Sequence, residues 1–305
     1  MSPAKSPATA RKLTALCPTR SNPPNDNPCK EIPRMKSILI TNRKGGVGKS
    51  AIASQFAHYL ADKLQLRVLF IDLDSQRNST KALTTKQAAM LSTTNAAEVF
   101  TNRNATVEAG RFVVMPGSDE LDLLDMEKER RNELAGNFKS FISRIGGQFD
   151  VCVIDTAPTH DIRMKSAIIS ADFLVAPTQL AQEAIDGIRF LVQSVTLAKG
   201  SLNPNLTFIG ILPNQVMDTP FHKENLAIIV QHFARLLIAL PSGGFALIRR
   251  TTAIEESQAE GVPIWKHGKT SARDAWRKIE PSFAHIAATM GVLDSQTQGV
   301  NQHGN

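Results

Sequence analysis

Cysteine is scarce in this chain. Three occur in 305 residues, Cys17, Cys29 and Cys152, and no two stand close enough to read as a disulfide framework or a metal knuckle. Long apolar runs are missing too. None approaches the ~18 residues of a membrane span, and the first residues lack the hydrophobic stretch of a secretory signal. No membrane association is expected, and a reducing cytoplasm fits. Internal repeats are absent, and tyrosine occurs once, at Tyr59.

What is present divides unevenly. The chain is 42% hydrophobic with a formal charge of +7, yet the first 36 residues hold seven of the sixteen prolines and seven Lys or Arg against two acids. Such a segment buries too little apolar surface to offset the entropy of ordering it, so residues 1–35 are expected to be a disordered basic extension. It reads either as an arm that touches nucleic acid or a partner, or as sequence ahead of a true start at Met35. Residues 36–293 are long enough for one large α/β domain with a full core. The last stretch, 294–305, is polar without Lys or Arg and is expected to be a disordered tail.

The most informative run is Lys44-Gly45-Gly46-Val47-Gly48-Lys49-Ser50. It follows the apolar Ile38-Leu39-Ile40 and opens onto a helical pattern, Ala51 to Lys63, with Ile52, Phe56, Tyr59 and Leu60 on one side. Strand, glycine-rich loop and helix form the setting of a phosphate-binding loop. Glycines let successive backbone N–H groups turn inward as an anion cradle at a helix N-terminus. Residues 45–48, with Ala51 behind them, would line the phosphates of ATP. Lys49 would reach the β- and γ-phosphates, and the Ser50 hydroxyl would sit on Mg²⁺.

The common pattern, G-x-x-x-x-G-K-[ST], would put glycine where this chain has Arg43, and Lys44 stands directly before the glycine pair. The loop therefore resembles the deviant Walker A group, the ParA/MinD family of ATPases. That resemblance implies that Lys44 crosses a dimer interface to the nucleotide of the other subunit, so that ATP bridges a homodimer. Two more segments are similar to the family's. Val68-Leu69-Phe70-Ile71 runs into Asp72-Leu73-Asp74-Ser75-Gln76, which looks like its D-x-D-P-Q switch with Ser75 and Arg77 in place of proline and glycine. By that match Asp74 orients the attacking water and Asp72 lies near the magnesium shell. Val151-Cys152-Val153-Ile154 leads into Asp155-Thr156-Ala157-Pro158, similar to the Walker B segment, with Asp155 holding Mg²⁺ through a water.

Alternating strand and helix patterns imply a doubly wound, mostly parallel sheet with helices on both faces. Later strands are expected at Arg111–Met115, Val151–Asp155, Phe173–Pro177, Thr207–Leu212 and Phe245–Ile248. The clearest helices are expected at Gln182–Ala198, Lys223–Ala239 and Ala272–Met290. Asn214, just past the Thr207 strand, is either the family's adenine contact or a turn residue. Near the C-terminus Arg249, Arg250, Lys266, Lys269, Arg273 and Lys278 are available for sequence-independent DNA contact, as the resemblance implies. Interleaved Glu255, Glu256, Glu260 and Asp274 leave a solvated mixed-charge face equally open.

Absences separate the family's branches. The polar end lacks the basic amphipathic helix of MinD-like proteins, and no cysteine pattern suits an intersubunit iron–sulfur cluster. A single tyrosine excludes a tyrosine-rich kinase tail, and no room remains for a glutamine-hydrolysing domain. The resemblance then implies a cytoplasmic, nucleoid-associated partition ATPase. Its ATP-bound dimer would bind nonspecific DNA, and a ParB-like centromere-binding adaptor would stimulate hydrolysis. Positioning of a protein cargo, or an accessory role in plasmid conjugation or stabilisation, are the alternatives.

Overall fold

The computed structural model describes residues 34–181 and 184–293. The polar tail, and the proline-rich extension up to residue 33, lie outside the described residues. Seven strands make one sheet: β1 (Lys36–Ile40), β2 (Val68–Leu73), β3 (Met90–Leu91), β4 (Phe112–Met115), β5 (Val151–Thr156), β6 (Phe173–Gln179) and β7 (Thr207–Asn214). Their order is β3-β4-β2-β5-β1-β6-β7, and every pairing is parallel.

Nine α-helices are described: α1 (Lys49–His58), α2 (Asn78–Thr84), α3 (Glu98–Thr101), α4 (Arg131–Arg144), α5 (Ile162–Ser170), α6 (Ala184–Ser201), α7 (Pro220–Phe233), α8 (Thr252–Glu260) and α9 (Thr270–Thr289). A parallel sheet covered on both faces needs apolar residues at successive strand positions, and the central strands supply them. Ile38, Ile40, Val68, Phe70, Val151 and Val153 belong to the layer under α1 and α9. Leu39, Leu69, Ile71, Cys152 and Ile154 belong to the layer under α4, α5 and α6. This period-two sorting is what a pleated strand imposes.

Two expectations need correction. Phe245–Ile248 is not a strand, although its apolar residues are buried or half-buried. The amide of Ala246 donates to Ile238, that of Ile248 to Pro213 and that of Arg250 to Val216, so the segment divides its bonds between two neighbours. No continuous ladder can form. The helix expected at Lys223–Ala239 begins earlier and ends sooner. Thr219 caps it by accepting from the His222 amide, with Pro220 in the first turn, and after Phe233 the chain tightens into a 3₁₀ turn, Ala234–Leu236. The edge strand Met90–Leu91 has two exposed residues, too few to show a period.

Candidate functional site

The phosphate loop lies at the C-terminal end of β1, between the ends of β5 and β6, where open α/β sheets bind ligands. Gly46 (φ +72°) and Gly48 (φ +84°) are left-handed, a conformation glycine takes without a steric cost. A Cβ at residue 48 would also fall 2.3 Å from Nδ2 of Asn214. Side chains from the ends of β6 and β7 hold the loop by its carbonyls. Asn214 Nδ2 donates to the Val47 carbonyl at 2.8 Å, and Nε2 of Gln179 and of Gln215 donate to that of Gly46 at 3.0 and 3.2 Å. Asn214 is thus a buried brace of the loop.

Lys49 is buried, and its ammonium donates to the Lys44 carbonyl at 3.2 Å. Burial lowers its pKa, against the opposing pull of Asp155 and Asp74. A cation so placed gains from a polyanion more than an exposed lysine would. Lys44 stands half-buried in the same loop, its amide donating to Oδ1 of Asn42 at 3.1 Å.

The two buried aspartates are register partners: Asp72 on β2 faces Asp155 on β5 across the ladder. Their surroundings differ. Asp72 spends both oxygens, Oδ2 accepting from the Thr80 amide and hydroxyl at 2.9 and 2.7 Å, Oδ1 from the Asp74 amide at 3.1 Å. Asp155 accepts from the Ser79 hydroxyl at 2.6 Å through Oδ2, while its buried Oδ1 has no partner. Burial, then repulsion by Asp72, pushes the Asp155 pKa up, and the Ser79 and Ser50 hydroxyls with Lys49 pull it back. An orphaned, fully buried carboxylate oxygen near Ser50 suits a hard cation with oxygen ligands, so Mg²⁺ fits Ser50 and Asp155.

That pair makes a pH-dependent prediction. Because the folded pKa of Asp155 is raised, the folded state holds that proton more tightly. The resulting stability is full below the unfolded carboxylate pKa and is lost as pH rises from there toward neutrality. Asp155→Asn should therefore be more stable than the parent at pH 8 without divalent cations, by about 1 kcal/mol or more. The gain should vanish near pH 4. Thermal melts across pH check this, and a variant no more stable at pH 8 would show the pair to be compensated.

Asp74 lies at the rim of the cleft, Oδ1 accepting from the Gln76 amide at 3.0 Å. Arg77, at the position where the switch pattern has glycine, is left-handed at φ +58° and pairs with Asp119 at 3.2 Å. Gly117 backs the segment closely: a Cβ there would come within 2.2 Å of the Asp74 carbonyl. Ser79, Thr80, Gly117, Gln179 and Gln215 were not singled out from sequence. Only the short Ser-Thr pair after the switch offered a signal, and it reads equally as helix-start chemistry.

The cleft over the loop encloses about 730 Å³ and includes Ser50, Asp74, Gln76, Lys81 and, from α8, Glu255 and Gln258. The C-terminal cations divide in space. Exposed Arg249 and Arg250 flank the cleft beside Asn214 and Gln215. Lys269 pairs with Glu256 at 2.9 Å, and Lys266 with Asp62 at 2.6 Å. Asp62 lies in the π-helical turn, Tyr59–Lys63, that continues α1 at the end away from Lys49. Arg273 is exposed at the start of α9.

A left-handed glycine loop opening α1, with a buried lysine and a carboxylate on the next strand, defines a P-loop nucleotide-binding protein of the doubly wound class. A family model described as an AAA domain matches residues 35–208. The chain belongs to the ParA/MinD family of partition ATPases. IncC of Escherichia coli is 28% identical over 265 residues, covering 85% of this chain and 70% of IncC. The chromosome-partitioning ATPase Soj of Thermus thermophilus is 26% identical over 249 residues, covering 81% of this chain and 94% of Soj. McdA of Cyanothece in its ATP complex shares the fold, with a TM-score of 0.70 at 18% identity over 86% of this chain and 98% of McdA. A plasmid partition protein of Borrelia burgdorferi bound to AMPPNP gives 0.62 at 21% identity, over 82% and 98% of the two chains. No described helix is long and apolar enough to cross a membrane.

Proposed function

We propose that this chain is an ATP-dependent dimerisation switch for partition of a plasmid or chromosome. Lys44 carries the reading. It directly precedes the glycine pair, its carbonyl accepts from the buried Lys49, and it stands half-buried in the loop that would meet a second subunit. A cation supplied in trans couples charge neutralisation on the phosphates to dimer formation. Gly45, Gly46, Val47, Gly48, Lys49, Ser50 and Ala51 would hold ATP, with Asn214 near the base. Ser50 and Asp155 would hold Mg²⁺ with Asp72 behind them; when bound, it neutralises charge on the phosphate oxygens. Asp74 would orient the attacking water.

The ATP-bound homodimer would bind DNA without regard to sequence through Arg249, Arg250 and Arg273, with smaller parts for the paired Lys266 and Lys269. A ParB-like centromere-binding adaptor would stimulate hydrolysis and release the dimer, in a nucleoid-associated cytoplasmic cycle. The test is equilibrium binding to random-sequence duplex DNA across salt, with and without ATP. Binding through these cations should require ATP and weaken with salt at about −0.9 in log–log slope per neutralised phosphate. Arg249→Ala with Arg250→Ala should flatten that slope by roughly one to two units per subunit. No DNA binding in any state would overturn this reading in favour of protein-cargo positioning or a conjugation role.

A further inference from the structure

We propose that the depression between α4 and the turn after α3 is a second nucleic-acid contact, holding phosphodiester backbone without need of bound nucleotide. It rests on the DNA-binding reading above, but not on the same residues. Helix α4 has two faces. Leu134, Phe138, Phe141 and Ile142 are buried under the sheet, and Gly136, Lys139, Ser140, Ser143 and Arg144 recur at helical spacing on the exposed side. With Arg103 and Asn104 this outer stripe lines a depression of about 620 Å³.

Its lining holds three cations, two hydroxyls and an amide, and no carboxylate. Neighbouring arginines are neutralised: Arg130 by Glu127 and Glu133, Arg131 by Asp125. Arg103 and Lys139 have no ion pair among the described residues, whereas Arg144 is fixed by donating to the Ala105 carbonyl at 3.0 Å. Gly136 sits inside the helix although a Cβ there would meet nothing within 4 Å. Packing does not require that glycine, and it leaves bare backbone where a ligand can approach closely.

The chemistry favours phosphates over a protein. Arg, Lys, Ser and Asn are the groups that contact nucleic-acid backbone, and the lining includes no aromatic or large aliphatic side chain of the kind that anchors a protein partner. From Gly136 to Arg144 the stripe runs about 12 Å at 1.5 Å per residue, which along the duplex axis spans roughly three phosphates of one strand at 3.4 Å of rise each. The position is also distinct. Hydrogen bonds from the Met35 amide to the Gly146 carbonyl and from Lys36 to Asp150 put the end of α4 at the N-terminal edge of the sheet, opposite the phosphate loop. A dimer closed over the phosphate loops would leave this face outward on both subunits.

The experiment uses the full chain with Arg103→Gln and Lys139→Gln together, and fluorescence anisotropy on a labelled random-sequence duplex across salt without nucleotide. The expected result is weaker binding, by about tenfold or more near 0.1 M salt, and a slope reduced by roughly two units. ATP affinity and melting temperature should be unchanged, because both side chains are exposed and outside the cleft. Arg249→Ala with Arg250→Ala should keep the nucleotide-free binding. An unchanged slope in the double glutamine variant, with ATP-dependent binding intact, overturns the α4 site and leaves the DNA reading standing. Absence of DNA binding in every state overturns both. Equal loss of binding to a polyglutamate peptide of matched charge overturns the assignment to nucleic acid in favour of an acidic protein.

Discussion

Lys49→Ala should bind ATP at least about a hundredfold more weakly than the parent, which is loss of binding at ordinary protein concentrations. The side chain is buried among the loop, Asp155 and Asp74, with burial already opposing its charge. Removing one partner of a buried charge contact costs about 3 kcal/mol or more, which is over two powers of ten in Kd. Lys44→Ala should behave differently. Its backbone carbonyl, which accepts from Lys49, survives the substitution, so ATP should still bind while ATP-dependent dimerisation and turnover fall. Calorimetry for nucleotide and sedimentation for assembly separate the two variants. A Lys44→Ala protein that dimerises and hydrolyses ATP normally would remove the trans role.

Asp74→Ala should bind ATP and dimerise, yet hydrolyse it at least about a hundredfold more slowly, since a misplaced reacting group costs that much without much change in affinity. Asp74 is suited to the role by its place at the rim of the cleft, held by the Gln76 amide and backed by Gly117. The unbound oxygen of Asp155 is too deep to share it. Single-turnover hydrolysis together with DNA retention reads both halves, because slow hydrolysis should trap the DNA-bound state. Turnover at the parent rate would mean that the altered switch, with Ser75 and Arg77, has moved the duty to another group.

Arg77 shows where family pattern and structure meet. Its place in the switch pattern belongs to glycine, and the backbone there is indeed left-handed at φ +58°. An arginine holds there a conformation that glycine takes without a steric cost. The exposed ion pair to Asp119 accompanies it and offsets little by itself.

The amino-acid order alone was enough for the sheet's central strands, the phosphate loop and the two strand-ending aspartates. Each is a local pattern: an apolar run, a glycine spacing, or a carboxylate where a run stops. Tertiary structure decided everything that depends on which segments become neighbours. Parallel register set Asp72 against Asp155 and left one oxygen of Asp155 unpartnered. The end of β7 came back over the loop, making Asn214 a brace on Val47. Residues 245–248 had the composition of a strand, but their amides found two different partners. The C-terminal cations read as one group and separated once Lys266 met Asp62 and Lys269 met Glu256. The outer face of α4 drew no notice in sequence, because charged and polar residues at helical spacing look like any solvated surface. Only folding showed that Arg103 joins them and that no carboxylate does. Periodicity and spacing record what a residue does to its own segment, whereas charge pairing and register are long-range and enter only when the chain closes on itself.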